Sequence, residues 1–226
     1  MTIKTQRLLD RAKKIAKKGG HEEARKLYTT ILEASPNNQE AKNGLLALQQ
    51  GKDQLSPPKA EIQSVFTLYS NGQIQEALDS VETLTKDYPN EPWLYNISGV
   101  CYKAIGRLDA AVKSFEKAVA LKPDYIEACY NLGVTLKELG QLDAAVKSYE
   151  KALTLKPDYA NAHNNLGLAF KELGQLDAAV ESYEKALAVN PDYAEARNNL
   201  GVTLKDLDQL DAAIKCYEKA VALKPD

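Results

Sequence analysis

Few side chains in this sequence could carry catalytic chemistry, and none of them stands in a catalytic motif. The 226 residues include two histidines, His21 and His163, and three cysteines, Cys101, Cys129 and Cys216. The sequence has no nucleophile elbow, Walker loop, dinucleotide fingerprint or His-Glu zinc motif. An odd and sparse set of cysteines favours neither a disulfide framework nor a Cys/His zinc site. We therefore expect a protein that is not an enzyme and that uses no metal or cofactor.

The same residues have a structural interpretation. His163 stands on the packing face of a predicted helix, where a structural histidine is more common than a catalytic one. The cysteines fit packing thiols better than reactive ones. Carboxylate pairs such as Glu138 and Asp143 recur along the chain, which indicates solvated faces and helix caps rather than one acid/base pair.

Composition and charge limit the classes of partner. With 44% apolar residues, 27% charged residues and a net charge of −2, the chain has an ordinary globular composition and no general electrostatic footprint for nucleic acid. No apolar run could cross a bilayer and no signal-peptide core is visible, so we predict a cytoplasmic protein without a membrane partner. Residues 1–18 are strongly basic, which we interpret as the solvated face of a first helix. The alternative is a contact with a membrane surface or nucleic acid.

The sequence is built from a repeat of 34 residues. The stretch KELGQLDAAV occurs at 137–146 and again at 171–180, and residues 126–159 agree with 160–193 at 23 of 34 positions. A period of this length indicates a solenoid, in which each unit buries a face only against its neighbours. The frame gives five units: 58–91, 92–125, 126–159, 160–193 and 194–226.

Each unit is predicted to hold two helices, as the third unit illustrates. Gly140 stands where the first helix should end in a left-handed residue, and Pro157 ends the second helix because proline cannot fit inside a continuing one. Asp158 is a candidate cap for the first helix of the next unit. Gly133 lets the two helices approach closely, and Tyr149 fills the space between them.

These positions resemble the tetratricopeptide repeat, whose pattern has Leu-Gly, Ala, an aromatic residue, Ala and Pro at fixed offsets. The matching residues of three successive units are Leu132, Gly133, Ala145, Tyr149, Ala152 and Pro157; Leu166, Gly167, Phe170, Ala179, Tyr183, Ala186 and Pro191; and Leu200, Gly201, Ala213, Tyr217, Ala220 and Pro225. Unit 92–125 matches with Ser98 in place of leucine, and unit 58–91 is degenerate. The resemblance implies an all-α, right-handed superhelical solenoid of helix-turn-helix units.

A weaker copy of the repeat, unit 5–38, precedes the array. Its residues at the expected offsets are Gly19, Ala24, Tyr28 and Pro36. Residues 39–50 add one further predicted helix, and 51–57 are predicted to form a linker because they are rich in turn formers. We therefore expect an N-terminal helical block at 1–50 that resembles the repeat, and a main array at 58–226.

The resemblance places ligands in a concave groove lined by the first helix of each unit. The fifth, sixth and twelfth places of the units carry mostly asparagine, asparagine and lysine. The predicted peptide-binding residues are Asn96, Lys103, Tyr130, Asn131, Lys137, Asn164, Asn165, Lys171, Asn198, Asn199 and Lys205. A carboxamide can pair with the backbone amide of an extended peptide, and the lysines favour an acidic partner. The alternative is that the asparagines serve hydrogen bonds between repeats.

One known ligand of this family, the acidic C-terminus of a chaperone, is disfavoured. Its two-carboxylate clamp needs Lys and Asn in one unit, Asn in the next, and Lys and Arg in the third. The aligned residues here are Asn96, Val100, Asn131, Asn161 and Asn165, which lack the cations. The asparagine ladder is instead similar to the repeat domain of O-linked N-acetylglucosamine transferases, which hold extended substrates. No catalytic domain is present in these residues, so the transferase activity is not implied.

We predict a protein–protein interaction scaffold that binds an extended peptide or protein segment in the groove. The alternatives are the substrate-recruiting part of a larger transferase and a scaffold that assembles with itself. The sequence stops at 223–226, where another unit would begin, so the last helix has no cap; this favours a fragment of a longer protein or association with another copy. Asp208 replaces the glycine found in the equivalent turns, so the last unit is expected to fray first.

Overall fold

The computed structural model describes residues 3–17, 20–52 and 57–223, and all regular structure in these ranges is α-helical. The helices are α1 (Ile3–Lys17), α2 (His21–Ala34), α3 (Gln39–Lys52), α4 (Lys59–Ser70), α5 (Ile74–Asp87), α6 (Pro92–Ala104), α7 (Leu108–Leu121), α8 (Ile126–Glu138), α9 (Leu142–Leu155), α10 (Ala160–Glu172), α11 (Leu176–Val189), α12 (Ala194–Asp206) and α13 (Leu210–Leu223). The predicted all-α class is confirmed. None of the described helices has the length and apolar character that a membrane span requires.

The chain divides into two compact units. The first comprises residues 1–64 and 83–90, and the second comprises residues 65–82 and 91–226. The predicted repeat 58–91 is therefore shared between the two units, and the boundary differs from the one expected at its start. The division falls within both helices of this repeat, at 64/65 in α4 and at 82/83 in α5, and the parts that belong to the second unit pack in one cluster with Leu68, Ala77 and Leu78.

The first unit has its core among α1, α2 and α3. The buried apolar residues of this core are Leu9, Ala12, Ala24, Tyr28, Ile31, Ala41 and Leu48. Ala24 and Tyr28 thus lie inward, whereas Gly19 falls outside the described residues. Helix α3 extends to Lys52, two residues into the segment predicted as a linker, because a single glycine weakens a helix without ending it. Residues 53–56 of that segment lie outside the described residues.

In the second unit, α6 to α13 form four helix pairs, one for each repeat that begins at residue 92, 126, 160 or 194. The first helix of a pair packs on its second helix, and that second helix packs on the first helix of the next pair. The first helices of neighbouring repeats also contact one another. Every repeat therefore buries its surface against its sequence neighbours, which is the packing of a repeat solenoid.

Left-handed residues follow the first helices, as predicted. Gly140 follows α8 with φ at +72°, and the N–H group of Gln141 donates to the carbonyl of Leu136 at 2.9 Å. This hydrogen bond closes the helix in the manner of a Schellman motif. Asp208 follows α12 with φ at +60°, a conformation that is strained for a residue with a Cβ atom. The last repeat therefore has a strained turn where the others have glycine.

The second helices end as predicted, but the predicted cap of the first helices is wrong. Helix α9 has Lys156 as its C-cap, directly before Pro157. Helix α10 has Tyr159 as its N-cap and no hydrogen bond from a capping side chain. The carbonyl of Tyr159 accepts the hydrogen bond from the N–H group of Ala162 at 2.9 Å. Asp158 therefore lies one residue too early to cap the helix.

A glycine of the first helix lies against an aromatic ring of the second helix in each of the four repeats. The pairs are Gly99 with Phe115, Gly133 with Tyr149, Gly167 with Tyr183, and Gly201 with Tyr217. A Cβ atom at Gly133 would lie 2.7 Å from the nearest ring carbon of Tyr149, which is fully buried. This contact requires glycine because no side chain fits at that distance.

Replacing this glycine tests the contact. We expect Gly133→Ala to lower the free energy of unfolding by about 1–3 kcal/mol, because the ring and its helix must shift. Urea denaturation followed by circular dichroism measures the change. A double variant with Tyr149→Leu is the control: the shorter side chain relieves the contact, so the double variant should lose less than the sum of the single variants. Strict additivity would show that the contact does not set the helix distance.

A second prediction concerns the strained turn. Asp208→Gly should stabilise the last repeat by about 1 kcal/mol, since glycine adopts positive φ without a Cβ penalty. Amide exchange within α13 should slow about fivefold. The reciprocal variant Gly174→Asp, at a turn with φ at +75°, should destabilise its repeat by a similar amount. If α13 of the original chain exchanges as slowly as α9, the last repeat does not fray first and the strain has no consequence.

Candidate functional site

The first helices α6, α8, α10 and α12 carry the residues predicted to bind peptides, and hydrogen bonds join them from repeat to repeat. The carboxamide Nδ2 of Asn131 donates to Oδ1 of Asn96 at 3.2 Å. In the next junction Nδ2 of Asn165 donates to the hydroxyl of Tyr130 at 3.0 Å. In the third, Nδ2 of Asn199 donates to Oδ1 of Asn164 at 3.1 Å. The sixth place of one repeat thus donates to the fifth place of the preceding repeat at all three junctions.

The asparagines of the fifth place lie mostly inside these junctions. Asn96 is buried, and Asn164 is fully buried and also donates to Oε1 of Glu195 at 3.3 Å. Little surface of these two side chains remains for a ligand. For Asn96 and Asn164 the structure therefore favours the alternative, in which the asparagines serve hydrogen bonds between repeats. Asn198, in the same place of the last repeat, is exposed.

The asparagines of the sixth place are partly exposed. Asn131, Asn165 and Asn199 are each half-buried, and each uses an N–H group in the junction described above. Within the described part of the chain, no hydrogen bond reaches the Oδ1 atom of any of the three. A carboxamide oxygen accepts up to two hydrogen bonds, so this row can still accept N–H groups from a ligand.

The lysines of the twelfth place form ion pairs with acids of the next repeat. The Nζ atom of Lys103 lies 2.8 Å from Glu138, that of Lys137 lies 3.2 Å from Glu172, and that of Lys171 lies 3.3 Å from Asp206. Sequence reasoning named the lysines but missed these acids as their partners. The available signal is the acid that directly follows Lys137, Lys171 and Lys205 in the sequence, which by itself indicates only a solvated face. The pairs cancel the positive charge on which an acidic partner was predicted.

At the fifth place Tyr130 stands where the other three repeats of the second unit have asparagine, and its ring belongs to an aromatic cluster. Its ring centroid lies 4.8 Å from that of Tyr159 and 6.1 Å from that of Tyr149. Burial raises the pKa of the Tyr130 hydroxyl, and the hydrogen bond with Asn165 partly opposes this shift. The ring is half-buried, so one edge of it remains at the surface beside the row.

The histidine and the cysteines have structural surroundings. His163 is nine-tenths buried, and its Nε2 atom lies 2.8 Å from the carbonyl oxygen of Pro157. All three cysteines are free, and burial raises the pKa of the Cys101 thiol to about 11, which suppresses the reactive thiolate. Among the residues that the structure describes, no three His, Cys, Asp or Glu side chains are grouped so that they could hold a metal ion.

Family models match most of the second unit. Models of the TPR repeat match residues 99–140, 135–174 and 169–208, and a model described as tetratricopeptide repeat matches residues 194–226. Together these matches cover more than half of the chain.

Individual proteins agree with this result. The crystal structure of MamA is 26% identical and has a TM-score of 0.69, and the match covers 76% of this chain and 97% of MamA. The crystal structure of YrrB, a TPR protein with an unusual peptide-binding site, is 23% identical with a TM-score of 0.66, and the match covers 80% of this chain and 91% of YrrB. At that identity the likeness to YrrB concerns the fold alone.

A curated relative matches a shorter segment. The peroxisomal targeting signal receptor of Kluyveromyces lactis is 28% identical over 75 residues, which are 33% of this chain and 13% of the receptor. The chain thus matches only a small part of that protein. The repeat models, the four helix pairs and the fold of MamA agree, and the chain belongs to the tetratricopeptide repeat family.

Proposed function

We propose that this chain is a protein-interaction scaffold that holds an extended peptide or protein segment against its first helices, in a groove lined by α6, α8, α10 and α12. The role of an interaction scaffold follows from its family. The observation that carries the site is the row of three Oδ1 atoms, on Asn131, Asn165 and Asn199, that accept no hydrogen bond within the described residues. These atoms recur at the period of the repeat and lie on side chains that are already fixed by bonds between repeats.

Such a row recognises backbone rather than side chains. An extended peptide has unpaired N–H groups along its length, and carboxamide oxygens can accept from them whatever the peptide sequence is. Half-buried apolar residues at the ninth place of the same helices offer a contact for apolar side chains; they are Val100, Val134, Leu168 and Val202. Because the asparagines are held in place before the ligand arrives, binding costs little of their rotamer entropy.

The ion pairs change the expected chemistry of the partner. Three of the four lysines are neutralised by an acid of the next repeat, so most of the groove does not select an acidic ligand. Lys205 has no such acid among the described residues. Any preference for an acidic group is therefore confined, in this proposal, to the part of the ligand near the end of α12. A cytoplasmic location and a mechanism without bond making are parts of the same proposal.

The comparisons support this class of function. YrrB is known as a TPR protein with a peptide-binding site, and the Kluyveromyces lactis relative is named as a receptor for a targeting signal. Self-association through the last repeat is a second candidate, favoured by the exposed apolar side chains of α13. Recruitment of substrates for a larger transferase stays a prediction from sequence.

The test is a peptide-library screen against the original chain and the triple variant Asn131→Ala, Asn165→Ala, Asn199→Ala. Both proteins are first shown to be folded by circular dichroism, because the variant also loses hydrogen bonds between repeats. Each loss costs about 0.5–1.5 kcal/mol of stability. We expect the original chain to enrich peptides that the variant does not, since the variant lacks the acceptors for the peptide backbone.

One graded variant and one control variant separate binding from stability. Tyr130→Phe removes the hydroxyl that accepts from Asn165 but keeps the ring and the asparagine, so it should lower stability and weaken peptide affinity less than the asparagine variant does, while the same peptides are enriched. The triple variant Glu116→Ala, Glu150→Ala, Glu184→Ala changes exposed residues of the second helices at the same spacing, and should have no effect on binding. Equal enrichment by the original chain and the asparagine variant, or no enrichment by either, would refute the proposed groove.

A further inference from the structure

A cavity of about 620 Å³ is lined by residues of α9, α10 and α11. Its apolar lining includes Leu153, Leu166 and Phe170, and its polar lining includes Glu150 and Glu181. None of its lining residues belongs to the proposed groove or to the row of asparagines. The cavity is therefore a separate place at which this chain could bind a ligand.

Two acids line the cavity because one lysine of the repeat is replaced. Glu150 stands at the twenty-fifth place of its repeat, which is glutamate in all four repeats of the second unit. Glu181 stands at the twenty-second place, where the other three repeats have Lys113, Lys147 and Lys215. Only at this junction does an acid stand at the place that is otherwise lysine, so the charge of the cavity differs from that of its equivalents.

The two carboxylates differ in their partners. Glu181 lies 2.6 Å from the Nζ atom of Lys185, which also lines the cavity, and this hydrogen bond lowers the pKa of the Glu181 carboxyl. The carboxylate of Glu150 has neither an ion pair nor a hydrogen bond within the described ranges. Two carboxylates and one ammonium group leave one net negative charge in the lining, and it belongs to Glu150.

The hydroxyl groups of the lining can only accept further hydrogen bonds. The hydroxyl of Ser182 donates to the carbonyl of Ala178 at 2.8 Å, and that of Thr154 donates to the backbone carbonyl of Glu150 at 2.9 Å. A hydroxyl that has donated its one hydrogen retains only its lone pairs. Both groups thus favour a ligand that supplies N–H or O–H donors.

His163 adds a buried acceptor to the same lining. Its Nε2 atom must donate to the carbonyl of Pro157 at 2.8 Å, because a carbonyl oxygen only accepts, so Nδ1 of the neutral ring is an acceptor. The side chain is nine-tenths buried, and Nδ1 has no hydrogen-bond partner within the part of the chain that the structure describes. An unpaired buried polar atom is unfavourable, and a donor placed in the cavity would pair it.

We propose that this cavity binds an arginine side chain of a partner protein. A guanidinium group has five N–H donors, no acceptor and a permanent positive charge, which is the complement of a lining with one unpaired carboxylate and several acceptors. Its plane can stack on Phe170 while its apolar stem packs on Leu153. The group donates to the carboxylate of Glu150 and, after a small shift of the side chains that cover it, to Nδ1 of His163.

The test titrates the full, isotopically labelled chain with N-acetyl-arginine methylamide and follows the backbone amides by NMR. We expect saturable shifts around the cavity, in α9, α10 and α11. The citrulline analogue is the matched control ligand, since it has nearly the same shape without the charge, and it should bind about tenfold more weakly. The lysine analogue should bind about threefold more weakly, because its ammonium group is more strongly hydrated and lacks the planar donors.

Variants of the lining residues test the assigned contacts. Glu150→Gln keeps the shape of the side chain but removes the unpaired charge, and should weaken binding of the arginine compound about tenfold. Glu184→Gln, the equivalent change one repeat later, is the matched control and should leave binding unchanged. Glu181→Lys restores the lysine of the other repeats and should abolish binding by repulsion. His163→Leu should weaken binding about threefold, and unchanged binding would refute the contact with Nδ1.

The opposite results overturn the proposal. Equal binding of the citrulline or the lysine analogue, or binding that Glu150→Gln leaves unchanged, would show that the cavity does not select a guanidinium group. Association of the chain with itself, measured by light scattering and lost in the Glu150→Gln variant, would identify a second copy rather than a partner protein as the source of the arginine. Peptides that require the asparagine row should bind the Glu150→Gln variant normally, so failure here is distinguishable from failure of the proposed function.

Discussion

The contact between a glycine of the first helix and an aromatic ring of the second sets the distance between the two helices of each repeat. Gly133 and Tyr149 show how little freedom it leaves, since a Cβ atom at the glycine would lie 2.7 Å from the ring. The same contact recurs in all four helix pairs of the second unit. Because the distance between the two helices is the same in each repeat, equivalent residues of successive first helices are equally spaced along the array. The polar contacts between repeats depend on that constant geometry.

The asparagines of the sixth place link the stability of the array to its surface chemistry. Each of Asn131, Asn165 and Asn199 is half-buried and donates an N–H group to the preceding repeat. The bond to the neighbour fixes the orientation of the carboxamide, so the oxygen is presented in a defined direction. In the proposed groove, carboxamides held in this way would lose less entropy when a peptide binds, so the packing of the repeats would also serve recognition.

The sequence predicts the period, the helix pairs and the left-handed turns, because each of these depends on residues within one repeat. Gly140 and Pro157 act locally, and their effects can be inferred without knowing the neighbours. The roles of Asn164 and Asn165 could not be separated in this way. Adjacent residues on a helix point about 100° apart, so one lies in the junction and the other beside it. The pairs of lysines with acids were missed for the same reason, since they join residues of different repeats.

The junctions between repeats are alike, so they do not by themselves determine where along the array a ligand would bind. A peptide displaced by one repeat along the first helices would meet the same carbonyl oxygens and similar apolar residues. The position of the ligand must therefore depend on residues that differ from one repeat to the next. Tyr130 replaces asparagine at one fifth place and forms an aromatic cluster with Tyr159. Because Tyr130 places a ring at the fifth place where the other three of these repeats have asparagine, an apolar or aromatic side chain of the proposed ligand in contact with Tyr130 would set the register of the whole segment.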